Sequence, residues 1–102
     1  MITAEQKEFA QDLLNNASEI ATSLHCRNRF TIELDDILQR PKYKYFEFVR
    51  NHLEQAWHNA FLRDRPLKRE VKTRLLKKFS EIYENIEKNN QIRDQYFTNL
   101  VD

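Results

Sequence analysis

Not one of the 102 residues is glycine. At average usage near 7%, a chain of this length carries roughly seven. Glycine is the usual residue where the backbone must take positive φ: hairpin turns, bulges and phosphate-cradling loops. A chain without it folds readily only where few such positions are needed. Helices joined by short connections meet that condition. A coding bias toward Asn, Lys, Ile, Phe and Tyr also depletes glycine, and the structural consequence is the same. The expected fold is all-α, a single small bundle of four to five helices over residues 1–102. The third and fourth helices are expected to be the longest, two long central helices forming an antiparallel pair joined near Asp64 and Pro66.

The hydrophobic periodicity places the helices. Thr3 is a good N-cap and Gln6 stands three residues on, the spacing of a capping box. Phe9, Leu13, Ala17, Ile20, Ala21 and Leu24 recur at steps of three and four, which predicts a helix from about Ala4 to about His25. Glu5, Glu8 and Asp12 lie early in it, where the helix dipole favours anions. Phe30, Ile32 and Leu34 alternate and permit a short strand, but a lone strand has no partner. A short helix through Leu34, Ile37 and Leu38, capped by Thr31, is the preferred reading. Pro41 disfavours helix at Arg40 and suits the first turn of a new one.

The next helix is expected from about Lys42 to about Arg63. Tyr45, Val49, Leu53, Ala56 and Ala60 form its stripe, and Phe46 and Trp57 widen it. Tyr43 and Phe61 extend the apolar arc to roughly 160°. Pro66 repeats the boundary signal, with Asp64 as its cap. The last pattern runs through Leu67, Val71, Leu75, Phe79, Ile82 and Ile86. After Asn89 and Asn90 it resumes with Ile92, Tyr96, Phe97, Leu100 and Val101. The Asn pair leaves one bent helix and two helices both open.

Composition excludes several classes of function. Charged residues make up 32% of the chain, yet the net charge is only +1. Twelve aromatics, one Trp, four Tyr and seven Phe, argue against disorder. No apolar run is long enough to cross a membrane, and the N-terminus lacks the basic start of a secretory leader. Cys26 is the single cysteine, so no internal disulfide forms and a cytoplasmic setting is expected. A P-loop and a dinucleotide fingerprint both need glycine. His25 and Cys26 are adjacent, and His52 and His58 point about 120° apart on a helix, so no pair has metal-ligand geometry. Cys26 beside His25 is a poor nucleophile–base pair, because neighbours in sequence rarely aim at one another. No catalytic residue, cofactor, metal or small-molecule substrate is expected.

Two features are left to carry function. The first is surplus apolar surface. Phe48 and Leu62 lie off the stripe of the third helix, Leu14 lies off the first, and Leu76 sits at the edge of the fourth. Gathered into a patch they would form a protein interface, and a short bundle commonly covers such residues by self-association. The second is uneven charge. Residues 63–78 hold eight bases, Arg63, Arg65, Lys68, Arg69, Lys72, Arg74, Lys77 and Lys78, against Asp64 and Glu70. Such a run can contact phosphate backbones, and Tyr43, Tyr45 and Phe46, interleaved with Lys42 and Lys44, could stack on unpaired bases. On a helical wheel the bases ring the helix rather than form one stripe. The leading expectation is a small non-enzymatic regulator or adaptor that binds another protein or itself. The alternative is a nucleic-acid binder using residues 63–78.

Overall fold

A computed structural model describes residues 2–61 and the backbone of residues 66–101, with side chains in the second stretch described from Leu67 to Asn89. Four α-helices form among these residues: α1 (Ala4–Ser23), α2 (Leu34–Leu38), α3 (Tyr45–Ala60) and α4 (Pro66–Val101). Short 3-10 turns at Arg27–Arg29 and Lys42–Lys44 link them. No strand occurs among the described residues.

The start of α1 follows from its sequence. The Gln6 amide donates to Thr3 Oγ1 at 3.1 Å, and the Thr3 amide donates to Gln6 Oε1 at 2.8 Å. Two orphan donors of the first turn are thereby satisfied. At the other end the helix stops two residues before the expected His25. Leu24 is the C-cap, and His25 follows with φ of 59°, in the left-handed region. The His25 amide donates to the Thr22 carbonyl at 3.0 Å and the Cys26 amide to the Ala21 carbonyl at 2.9 Å. That pair of bonds is the Schellman motif, whose left-handed residue is usually glycine. Here histidine fills it, and it is the sole positive-φ residue among those described.

The capping expectation for α2 is corrected. Thr31 lies outside the helix, and Glu33 is the N-cap. The Glu33 amide donates to Asp36 Oδ2 at 2.9 Å. A carboxylate three residues on thus ties down the first turn, with the N-cap two residues later than the hydroxyl at position 31 suggested. Pro41 stands immediately before the 3-10 turn that leads into α3. Phe61 leaves helical geometry at φ −128° and ψ 87°, so α3 ends earlier than expected. Pro66 is the first residue of α4, where its missing N–H costs nothing. Asn89 and Asn90 do not break α4, which continues to Val101 as one helix of 36 residues. At 1.5 Å per residue that is about 54 Å, close to the longest dimension of the molecule, 57 Å. The expected caps and contacts of Leu62, Arg63, Asp64 and Arg65 lie outside the described residues.

α3 and α4 run antiparallel. Phe46 near the start of α3 meets Phe79 and Tyr83, whereas Trp57 and Phe61 near its end meet Lys72 and Lys68. The expected order of lengths is corrected, since α1 has 20 residues and α3 has 16. α1 packs on α2, α3 and α4, and its buried Ala10, Ala17 and Ala21 permit close approach. Phe9 brings the start of α1 to Tyr45 and Tyr83, with ring centroids 6.1 Å apart in each pair. One hydrophobic core joins Phe9, Leu13 and Ile20 with Ile37, Tyr45, Leu53, Trp57 and Phe79. Burial at this core raises the Tyr45 hydroxyl above its usual range. Tyr83 is raised as well, by burial first and then by the Glu87 carboxylate one turn on.

Candidate apolar site at the bundle end

Three helix ends converge on one cavity. The C-terminal end of α1 contributes Ser23, Leu24 and His25, and the end of α3 contributes Trp57 and Phe61. The first two turns of α4 contribute Leu67, Lys68 and Val71. The cavity volume is about 230 Å³. The Trp57 and Phe61 rings form one wall, with centroids 5.8 Å apart at 43°. Val71 and the buried Leu24 supply aliphatic surface. Leu67 stands at the mouth, 74% exposed. The left-handed turn at His25 shapes this end, because it reverses the chain off α1 and sends Cys26 into the core.

Two lysines lie against the aromatic wall. Lys68 Nζ is 3.8 Å from the Phe61 ring centroid and Lys72 Nζ is 4.6 Å from that of Trp57. Each contact holds a cation over a ring face, worth about 0.5–1 kcal/mol at sites open to water. The residues sit one turn apart on α4 and so share a face.

The structure separates the candidate interface residues. Leu76 is 5% exposed and belongs to the core beside Phe79, so it does not offer surface to a partner. Leu14 is half-buried and packs on the same core. Phe48 is half-buried beneath the Arg40 guanidinium, 3.7 Å from its ring, and 4.3 Å from the His52 ring. Leu62 lies outside the described residues. Leu67, Phe61, Trp57 and Val71 make up the apolar site instead. In the sequence they read as stripe positions, and only their place at helix ends makes them a rim.

The basic residues are likewise dispersed. Arg63 and Arg65 lie outside the described residues. Lys68 serves the end cavity. Lys72 and Lys77 border a shallow groove with Arg50, Glu54, Thr73, Leu76 and Ser80. There Arg50 Nε lies 3.4 Å from Glu54 Oε1. The hydroxyls of Thr73 and Ser80 donate to the Arg69 and Leu76 carbonyls at 2.9 and 3.2 Å. Arg69, Arg74, Lys77 and Lys78 are exposed, and neighbours such as Lys77 and Lys78 diverge by about 100° around the helix. Of the aromatics expected to stack on bases, Tyr45 is buried in the core and Phe46 packs on Phe79 and Tyr83. Tyr43 is 76% exposed.

Cys26 is a free, buried thiol. Burial raises its pKa, which holds it in the unreactive protonated form. No helix among the described residues is long and apolar enough to cross a membrane. Comparison with protein-family models, with curated proteins and with solved structures finds no match to this chain.

Proposed function

We propose that the protein is a small non-enzymatic adaptor or regulator that binds another protein through the apolar cavity at the end of the bundle. The observation that carries this reading is Leu67, an aliphatic side chain 74% exposed at the mouth of an open apolar cavity walled by Trp57 and Phe61. An exposed leucine alone means little. Beside an apolar recess it extends one continuous surface, which is how a protein anchor site is built. At about 230 Å³ the recess is smaller than the roughly 300–1,000 Å³ of small-molecule sites. It suits one large side chain better than a cofactor or substrate. The cytoplasmic setting belongs to the same reading, supported by the unpaired thiol of Cys26.

The test uses Leu67→Asp, which places a charge at the mouth without disturbing the core. Resin-bound wild type is expected to retain a specific protein that the variant does not. Light scattering establishes whether that protein is a second copy of the chain. If wild type and variant retain the same set of proteins and both run as monomers, the reading fails.

Nucleic-acid binding is the second reading. It draws on Tyr43, exposed between Lys42 and Lys44, and on the exposed Arg74, Lys77 and Lys78. It requires an affinity for DNA or RNA that falls steeply with salt. Absence of any mobility shift at low ionic strength would remove it.

A further inference from the structure

Among the described residues, the end cavity carries charge of one sign. Its described polar lining residues are Ser23, His25 and Lys68, and none of the described side chains lining it is a carboxylate. Lys68 and Lys72 stand at the aromatic wall, with their ammonium groups over the two rings. An ammonium has three N–H donors, and a ring face engages it from one side only. The outward donors are therefore left to water or to an incoming acceptor. Both lysines are half-buried, so their stems are already ordered on the rings and less freedom is lost on pairing. A partner bringing Lys or Arg to this rim meets like-charge repulsion. A partner bringing Asp or Glu meets two cations one helical turn apart.

We infer that the cavity selects a partner segment with one large apolar anchor flanked by Asp or Glu, the anchor entering between Phe61, Trp57 and Val71 and the carboxylates pairing with Lys68 and Lys72. This deepens the adaptor reading and rests on it. The anchor supplies the binding and the lysines choose the sequence around it, because rim charges set selectivity and on-rate more than total affinity.

The probe is a displayed library of random 12-residue peptides selected on the full chain, followed by synthetic peptides with one Leu, Phe or Trp anchor. Three sets of flanks are compared: Asp/Glu, Gln and Lys. Binding is read with anchors other than Trp from the emission of Trp57, the only tryptophan in the chain. Selection is expected to enrich acidic flanks. Acidic peptides should bind about five- to tenfold tighter than Gln peptides at low salt, the effect of two exposed ion pairs. The advantage should shrink in high salt. The double variant Lys68→Glu, Lys72→Glu should reverse the order toward Lys flanks, and Leu67→Asp should weaken all three sets.

Peptides that need Leu67 but bind equally whatever their flanks overturn the acidic-partner inference and leave the adaptor reading standing. So does a ranking unchanged in the double variant. Release of a dimer to monomer by Leu67→Asp overturns it in favour of a second copy as occupant. If no peptide perturbs Trp57, or binding ignores Leu67→Asp, the adaptor reading itself falls. Circular dichroism of each variant confirms that the helices are retained.

Discussion

Replacing His25 with glycine should stabilise the protein. His25 holds φ of 59° while its own amide and that of Cys26 close the Schellman turn onto Thr22 and Ala21. A residue with a Cβ in that region suffers a contact with the following carbonyl that costs about 1–2 kcal/mol. Glycine removes it. Against this, glycine widens the unfolded ensemble and gives back about 0.4–1 kcal/mol. The His25 side chain is exposed, so its loss opens no core cavity. The net expectation for His25→Gly is a gain of about 0.8 kcal/mol, or about 3–6 °C in Tm for a domain of this size. His25→Ala keeps the Cβ and should gain nothing, and the β-branched His25→Val should lose stability. Urea unfolding followed by circular dichroism measures all three, with equal m-values showing that the folded and unfolded states are otherwise unchanged. If His25→Gly is less stable than wild type, or if Ala and Gly behave alike, backbone strain at this turn is not what the substitution relieves.

Phe46→Ala should cost about 2–4 kcal/mol in urea unfolding, because it removes the ring stacked 4.2 Å from Tyr83 and 5.2 Å from Phe79 that joins α3 to α4. Leu76→Ala should cost about 2–4 kcal/mol as a core cavity mutation, whereas Leu67→Asp should change stability by less than about 0.5 kcal/mol; equal costs would contradict their opposite burial. Stability should fall as pH rises through about 9. The unfolded Cys26 thiol ionises there while the buried thiol stays protonated, so the unfolded state binds fewer protons, and Cys26→Ala should flatten that part of the profile relative to wild type. The same thiol should react with a disulfide reagent much faster in urea than in the native protein; equal rates would refute its burial.

What the chain alone determined is what neighbours along it can settle. The capping box at Thr3 and Gln6, the helical register of Phe9 to Leu24, and the boundaries at Pro41 and Pro66 depend on contacts within one turn. Each was readable because its partners lie three or four residues away. The lack of glycine likewise foretold a fold with little need for positive φ, and among the described residues that need is met once, by His25.

The tertiary structure decided everything that turns on which helix covers which flank. Leu76 and Phe48 look alike on a helical wheel, as apolar residues off or beside a stripe. Packing buries Leu76 in the core and leaves Phe48 half-buried under the Arg40 guanidinium. Thr31 offers a capping hydroxyl, yet the helix begins after Glu33, whose amide donates to the Asp36 carboxylate. The run of bases at 63–78 reads as one charged segment. Packing drew Lys68 and Lys72 onto aromatic rings of another helix and left Arg74 and Lys78 in water. The end cavity has no signature in the sequence at all, since Leu24, Trp57, Phe61 and Val71 come from three helices whose ends meet only after packing. Local hydrogen bonds and side-chain periodicity act over a few residues. The geometry of a recess is set by the relative placement of whole helices, which depends on the entire core at once.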